Sequence, residues 1–373
     1  MIPLREFWKR HRRKVAVSFG VAGSSYLLYK LYEAHKCRLK ELERELASDR
    51  ENDELIKAQL QAHFENIQRI ADTTTLPHAV GLLHDRIADE LDLAPLTDRL
   101  VQGKGQANSL MPLEKIELWD RLKILSFTRT VVSVWALTMT SLYIRVQVNI
   151  LGRHLYIDIA RGLTNCPPDK DDGDPVGKQG QQQYFETSDF LSSSGLPALI
   201  NSVQAAASEI LKGKQLRDCF SSSLLHETIL QISDMFMATG KPHHWLNYLM
   251  PGLAGSYGAS LGSIEDQNTC PDINKFDQLM EETLAVLSSS EFENVIEISL
   301  VTLVSTLMED MGFQPTEGSP SPGIPLAKLL PKIVLMGPML LQEGTRDRYI
   351  KVVQKIPEVE LFFTLLYTNT PLV

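Results

Sequence analysis

The sequence predicts an all-α fold, a large elongated bundle of long helices preceded by a single N-terminal membrane anchor. Apolar residues recur mostly at spacings of three to five, and no alternating run is long enough to form a sheet. Residues 113–151 contain neither proline nor glycine, so nothing in them interrupts a helix. A chain of 373 residues, 43% of them hydrophobic, can also bury a large core.

The N-terminus combines a basic tail, residues 1–14, with an apolar segment, residues 15–32. The tail carries a cluster of cations: Lys9, Arg10, Arg12, Arg13 and Lys14. No small-residue cleavage site follows the apolar segment, so we interpret it as an uncleaved transmembrane anchor rather than a signal peptide. Its length of about 18 positions is near the lower limit for a bilayer span, and a helix lying on the membrane surface is the alternative.

Residues 33–373 are predicted to form a cytosolic helical domain. Its first helix, residues 37–71, has an irregular leucine repeat, which favours packing within the same chain and a monomeric domain over a coiled-coil dimer. Thr73, Thr74 and Thr75 are expected to break this helix, and Pro77 to begin the next. A short turn at residues 95–100 and a loop at residues 101–109 lead to the central helix.

The central helix is predicted over residues 112–152. Pro112 suits a first helical turn, and Gly152 suits a left-handed C-terminal cap. Residues 131–144 are apolar on every side, as in a helix surrounded by protein or lipid. This run is shorter than the roughly 20 residues of a bilayer span, which favours a core helix over a second membrane span.

The rest of the chain alternates predicted helices and loops. Residues 153–163 are expected to be semi-extended, and the Pro-, Gly-, Asp- and Gln-rich residues 166–183 to form a surface loop. The glycine-containing residues 251–274 are interpreted as a linker. Pro331 and Pro338 should limit a short apolar helix. Helical signals cover residues 196–211, 216–237, 276–287, 291–311, 324–338 and 346–367.

Trp119 is out of place on the predicted central helix. A wheel at about 100° per residue puts it in a strip of more polar residues that separates two apolar faces. The strip also contains Lys115, Lys123, Ser126 and Thr130. Either another helix of the bundle covers this indole, or it is a hot spot for a partner protein. The wheel leaves both possibilities open.

Composition and spacing exclude several classes of function. Residues 1–40 carry a net charge of +8, and the remainder carries −17, so the folded body does not have the basic surface of a nucleic-acid-binding protein. Four scattered cysteines favour free thiols over a zinc site or a disulfide framework. No catalytic signature occurs, and we predict no enzyme activity, no catalytic residue, no cofactor and no metal site.

Several segments together resemble the peroxin-3 family, the peroxisomal biogenesis factor 3 proteins. They are KRHRRK with the anchor that follows it, ENIQ, LEKIELWDRLKILSFTRT around Trp119, RVQVNILG, and the late IPLAKLLP. The resemblance covers nearly the whole chain in the same order, and YKLY and RVQVNILGRHLYID are similar to plant-type members. Residues 166–183 and the linker after Pro251 depart from the pattern.

The resemblance implies a single-pass peroxisomal membrane protein that faces the cytosol and docks peroxin-19, a receptor for newly made membrane proteins. It further implies that an amphipathic N-terminal helix of peroxin-19 lies in an apolar groove. Trp119 would be the anchor, Leu122 and Leu100 the groove wall, and Lys115, Thr97 and Lys328 the polar rim. The basic tail would act in targeting, and residues 15–32 would contact lipid. A structural tether to another cellular structure is the alternative function.

Overall fold

The computed structural model describes residues 61–102, 111–165, 175–250, 271–313 and 323–368, with isolated positions between 40 and 59. The chain divides into two compact units, Met1–Glu65 and Asn66–Val373, and the fold below is that of the second. The predicted basic tail, the anchor at residues 15–32 and most of the first helix lie outside the described residues. So do residues 103–110, 166–174 and 251–270.

The described residues confirm the all-α prediction, because they are helical almost throughout. A π-helical segment, Ala71–Thr75, precedes the first complete α-helix. The α-helices are α1 (Leu76–Glu90), α2 (Ala94–Gln102), α3 (Pro112–Asn165), α4 (Pro175–Glu186), α5 (Leu196–Ile210), α6 (Ser222–Ala238), α7 (Pro271–Leu287), α8 (Ser290–Asp310), α9 (Leu326–Leu341), α10 (Glu343–Gln354) and α11 (Pro357–Thr368).

The central helix, α3, is longer than predicted. It runs for 54 residues to Asn165, so Gly152 is not its C-terminal cap and the semi-extended prediction for residues 153–163 is wrong. A Cβ at Gly152 would overlap the Cδ1 of Ile67, so glycine serves close packing here rather than helix termination. Among the described helices α3 alone is long and apolar enough to cross a membrane, but its apolar window is wholly buried in the protein. This burial supports a core helix.

Other predicted breaks are also helical, and the turn predicted at residues 95–100 lies within α2. Conversely, the single helix predicted over residues 346–367 is divided between α10 and α11. Residues 73–75 belong to the π-helical segment, which continues into α1 without interruption, and Thr73 Oγ1 donates to the carbonyl of Arg69 at 2.8 Å. This local bond satisfies the hydroxyl without ending the helix. The predicted loop at residues 166–183 is wrong from Pro175 onward, where α4 begins. Residues 271–274 belong to α7 rather than to a linker.

Two short strands fix where α9 begins. β1 (Cys219–Phe220) pairs antiparallel with β2 (Ile324–Pro325), and the strand residues 219–220 fall in a segment predicted as helix. The amides of Leu326 and Ala327 donate to the carbonyls of Asp218 and Leu216, both at 2.9 Å. These bonds satisfy two of the free N–H groups in the first turn of α9. Residues 211–218 and the start of α9 are thereby held together.

Helix α9 lies parallel to α3 and packs on it more extensively than any other described helix does. Leu330 contacts the cluster containing Leu122, and Thr130 Oγ1 donates to the carbonyl of Ile333 at 3.3 Å. A Cβ on Gly337 would lie 2.9 Å from Ser133 Oγ, so glycine permits the close approach. Both prolines lie inside this 16-residue helix, and neither ends it as predicted.

Polar groups on the second half of α3 connect it to surrounding elements. Arg145 Nη2 lies 3.5 Å from Asp72 Oδ2 in the π-helical segment, and Gln354 of α10 donates to Asp72 Oδ1 at 2.5 Å. Burial raises the pKa of Asp72, although its bonds to Arg145 and Gln354 oppose that rise. Arg153 Nη1 donates to the carbonyl of Leu366 in α11 at 3.0 Å. Charge-assisted bonds therefore connect α3 to its neighbouring elements at more than one position along its second half.

Candidate docking surface

The residues expected to form the groove meet around one leucine cluster. Its buried members are Leu93, Leu100, Leu118, Leu122 and Leu330; its partly buried members are Leu96, Trp119, Leu125, Leu216 and Val334. We call these ten residues the Trp119 cluster. They come from α2 and Leu93 just before it, the beginning of α3, the loop at residues 211–218 and the first half of α9. Four separate parts of the sequence thus converge at one end of α3.

Local interactions hold α2 and α3 at this end. Asp92 Oδ1 accepts a hydrogen bond of 2.9 Å from the amide of Ala94, and so caps the N-terminus of α2. At the start of α3, the amide of Met111 donates to Glu114 Oε2 at 3.3 Å, while the Met111 carbonyl accepts from the amide of Lys115. The first of these bonds is the glutamate half of a capping box and the second is the ordinary i→i−4 bond of the helix; together they fix the first turn before Trp119.

The structure brings Trp119, Leu100 and Leu122 into the same cluster. Leu100 and Leu122 are both 4% exposed, so they form the floor beneath Trp119, which itself is only partly buried. Thr97, on α2, is partly buried and its hydroxyl donates to the carbonyl of Ala94 at 2.8 Å. The expected anchor and wall are therefore contiguous in space.

The two predicted rim lysines lie at the same end of the molecule. Lys115 precedes Trp119 by one helical turn and is partly buried. Lys328 is exposed in the first turn of α9, two residues before Leu330 of the cluster. Because α9 is parallel to α3, its first turn lies beside the beginning of α3 rather than at the far end. Both residues therefore belong to the end of the fold that carries Trp119. The predicted targeting residues, Lys9 through Lys14, are outside the described residues.

The polar strip around Trp119 is not solvated as its composition suggested. Lys123 is 5% exposed, and Ser126 and Thr130 are fully buried. Both hydroxyls donate to carbonyls of their own helix, Ser126 to Leu122 at 2.6 Å and Thr130 to Ser126 at 3.0 Å. Since α9 and the loop at residues 211–218 cover this strip, Trp119 marks the border between the core and the surface.

Lys123 connects α3 to the loop that carries Leu216, a role that sequence reasoning missed. Its Nζ donates to the carbonyl of Lys214 at 2.7 Å and lies 3.0 Å from Asp120 Oδ1. The Lys214 ammonium in turn donates to Thr228 Oγ1 at 2.9 Å on α6. Burial lowers the pKa of Lys214. A lysine one turn after Trp119 was the available signal, but its partner is 91 residues away.

A second missed feature is an exposed apolar face just before Trp119. Met111, Leu113 and Ile116 are 65%, 76% and 59% exposed. The helical wheel places Leu113 and Ile116 on a core face with Phe127 and Val131, both of which are buried. The difference arises because the first two turns of α3 extend past the helices that cover its middle. With Trp119, these side chains form an apolar surface that no described element covers.

Within the described ranges, no group of three or more His, Cys, Asp or Glu side chains is arranged to hold a metal ion. His243 and His244, the adjacent pair, have separate environments. His243 Nδ1 lies 3.2 Å from Glu293 Oε1, whereas the His244 ring contacts the rings of Phe236 and Tyr248. The geometry of the Trp119 cluster, aromatic and leucine-rich with flanking cations, suits protein binding better than acid–base or nucleophilic chemistry.

The sequence matches known proteins over nearly its full length. The Peroxin-3 family model matches residues 105–369. Peroxisome biogenesis protein 3-2 of Arabidopsis thaliana is 50% identical over 368 residues, covering 99% of each chain, and Peroxisome biogenesis protein 3-1 of the same plant is 49% identical with the same coverage. Human Peroxisomal biogenesis factor 3 is 29% identical over 358 residues, 88% of this chain and 87% of the human one.

Proposed function

Because the chain belongs to the peroxin-3 family, we propose that it acts in peroxisome biogenesis as the docking receptor for peroxin-19 in the peroxisomal membrane. Docking would deliver newly made membrane proteins for insertion. Residues 15–32 would anchor the protein in a single pass, with the bulk of the chain facing the cytosol. Since the apolar part of α3 is buried inside the protein, we assign membrane anchoring to the N-terminal segment rather than to α3.

The observation that carries this proposal is the continuous apolar surface from Met111 to Trp119. An apolar surface rimmed by polar groups is typical of a binding site in a soluble domain. Leu113, Ile116 and Trp119 are spaced three residues apart, so they follow one side of α3 and present a strip. An amphipathic helix lying along that strip would bury its own apolar face against it.

The charges around the strip indicate the chemistry of the partner helix. Lys115 and Lys328 would border a helix that contacts Trp119, and acidic side chains on the edges of that helix would complement them. Rim charges of this kind act mainly on the association rate and on register. The Trp119 indole would supply a larger share of the binding free energy.

Titration of the full-length protein, purified in detergent, with purified peroxin-19 tests the proposal. Trp119→Ala is expected to weaken binding by about 2 kcal/mol or more, roughly thirtyfold, as expected of an interface hot spot. Trp119→Phe should lie between the wild type and the alanine variant, because it keeps part of the aromatic surface.

Leu365→Ala is a matched control, since Leu365 is an exposed apolar residue on α11, away from the Trp119 cluster. It should leave the affinity unchanged. Equal affinities of Trp119→Ala and the wild type, with both proteins folded by circular dichroism, would rule out docking at this surface. A retained peroxisomal location together with lost association to another cellular structure would instead support a tether.

A further inference from the structure

A second surface at the same end of α3 faces a different direction from Trp119. It is an open cleft of about 540 Å³ bounded by the end of α1, α2, α3 and α5. Arg121 and Leu125 are its α3 residues. At about 100° per residue, Arg121 projects roughly 160° away from Trp119 around the helix. A ligand in this cleft therefore contacts different side chains from one lying on Trp119.

The cleft has an apolar floor. Leu91 and Ile200 are 5% and 7% exposed, and Leu96 and Leu125 are partly buried. Leu96 and Leu125 also belong to the Trp119 cluster, so the floor rests on the packed core. The volume lies within the range of about 300–1,000 Å³ that is usual for pockets binding compact ligands.

The two carboxylates at the mouth of the cleft, Glu90 and Asp92, interact with groups of the same chain. Glu90 Oε1 lies 3.4 Å from Arg86 Nη2, and Asp92 Oδ1 accepts from the amide of Ala94 at the start of α2. Both carboxylates thus have a partner from their own chain. Glu90 is paired with the cation of Arg86, whereas the bond from the Ala94 amide leaves the negative charge of Asp92 in place, where it acts on Arg129.

The basic and amide groups of the cleft lack such partners. Arg99 and Arg121 are exposed, and within the described part of the chain neither guanidinium makes a hydrogen bond or an ion pair. The side-chain amides of Asn201 and Gln204, on α5, are likewise unpaired among the described residues. Two guanidinium groups and two amides that have no partner among the described residues therefore surround an apolar floor.

We propose that this cleft binds an extended acidic segment of a partner protein. Carboxylates of the segment would pair with Arg99 and Arg121, whose planar forks match them. The amides of Asn201 and Gln204 would bond to its backbone, since each offers both donors and an acceptor. An apolar side chain would fill the floor beside Leu96.

The charge of the whole body argues for a short segment rather than a polyanion. Residues 41–373 carry a net charge of −17, which repels a nucleic acid or any long anionic polymer. A short peptide can bring two carboxylates to the two arginines while the remainder of its surface stays neutral. Its binding to this isolated basic site should weaken as ionic strength rises.

The test uses the full-length protein in detergent and a fluorescein-labelled eight-residue peptide of alternating leucine and glutamate. Fluorescence anisotropy should show saturable binding that falls at least tenfold in Arg99→Glu and in Arg121→Glu. Arg121→Gln should give a smaller loss, and it guards against misfolding because it introduces no repulsive charge. Lys351→Glu, a charge reversal on α10 outside the cleft, should bind like the wild type.

Two further measurements distinguish binding in this cleft from nonspecific adsorption and from binding on Trp119. A peptide of alternating leucine and lysine should not bind, and Trp119→Ala should keep full affinity for the acidic peptide. Absent binding of the acidic peptide, equal binding to the arginine variants, or equal binding of the lysine peptide would overturn the proposal. Loss of acidic-peptide binding in Trp119→Ala would also overturn it, because the peptide would then occupy the other surface.

Discussion

Replacing Gly337 by alanine tests whether the close contact between α9 and α3 is needed for the stability of the fold around Trp119. Alanine is favoured over glycine in a helix by about 1 kcal/mol, so the substitution would stabilise an unconstrained position. At Gly337, however, the new Cβ would lie 2.9 Å from Ser133 Oγ and 3.2 Å from the carbonyl oxygen of Arg129. Rotation of Ser133 could relieve the first contact, but the backbone oxygen is fixed.

The expected outcome is a net loss of stability. Overpacking in a filled core costs about 1–3 kcal/mol, which exceeds the helix-propensity gain and leaves a loss of roughly 1 kcal/mol. Gly344→Ala is the matched control, because nothing lies within 4 Å of a Cβ there in the first turn of α10. This control should be neutral or more stable by about 0.5 kcal/mol.

Chemical denaturation of the full-length protein in detergent, followed by circular dichroism, would measure both variants. Adding Ser133→Ala to Gly337→Ala should recover part of the loss, since the Ser133 hydroxyl has no hydrogen-bond partner among the described residues. If docking occurs as proposed, peroxin-19 affinity should fall with Gly337→Ala, because α9 also carries Leu330 of the Trp119 cluster and the expected rim residue Lys328. If Gly337→Ala proved as stable as Gly344→Ala, the two helices would not be held at their packing limit.

Two other outcomes follow from contacts at single side chains. Lys123→Met should lower the free energy of unfolding by about 1–2 kcal/mol, because the charge-assisted bond to the Lys214 carbonyl is lost. It should also speed hydrogen exchange at the amide of Ala327, which donates to Leu216 in the same loop. Lys212→Met, at an exposed position of that loop, should change neither quantity. Burial lowers the pKa of His244, so the folded state binds fewer protons than the unfolded state and stability should fall as pH drops below about 6.5. His244→Phe should flatten that slope in melts between pH 5 and 7; an unchanged slope would assign the titration to another group.

The helices were largely predictable from the sequence, whereas several of their ends were not. Periodic apolar positions follow from packing against a core, so the local pattern reports them. Whether Gly152 ends the helix or serves close packing depends instead on Ile67, which is distant in sequence and occupies the place of a Cβ at residue 152. Thr73 carries a breaker signal, yet its hydroxyl bonds to the preceding turn and the chain continues as a π-helical segment. In both cases the helix continues because of contacts that the local composition does not reveal.

The central residue of the candidate site, Trp119, was predictable from the sequence, whereas the environment of the residues around it was not. Trp119 stood out because a large aromatic among polar neighbours conflicts with the pattern of its own helix. Lys123 looked solvated because its acceptor, the Lys214 carbonyl, is set by the path of a remote loop. Leu113 and Ile116 matched the core face of the wheel, but periodicity cannot show where the covering helices stop.

The packing of α9 on α3 also determines when, during synthesis of the chain, the proposed docking surface is completed. Thr130 and its partner Ile333 are 203 residues apart, which corresponds to about 10–40 s of synthesis at roughly 5–20 residues per second. Until α9 leaves the ribosome, Leu118 and Leu122 lack the neighbour that Leu330 provides. A nascent or truncated chain therefore has no finished Trp119 cluster, so a partner that docks there as proposed would bind only molecules whose translation and folding are nearly complete.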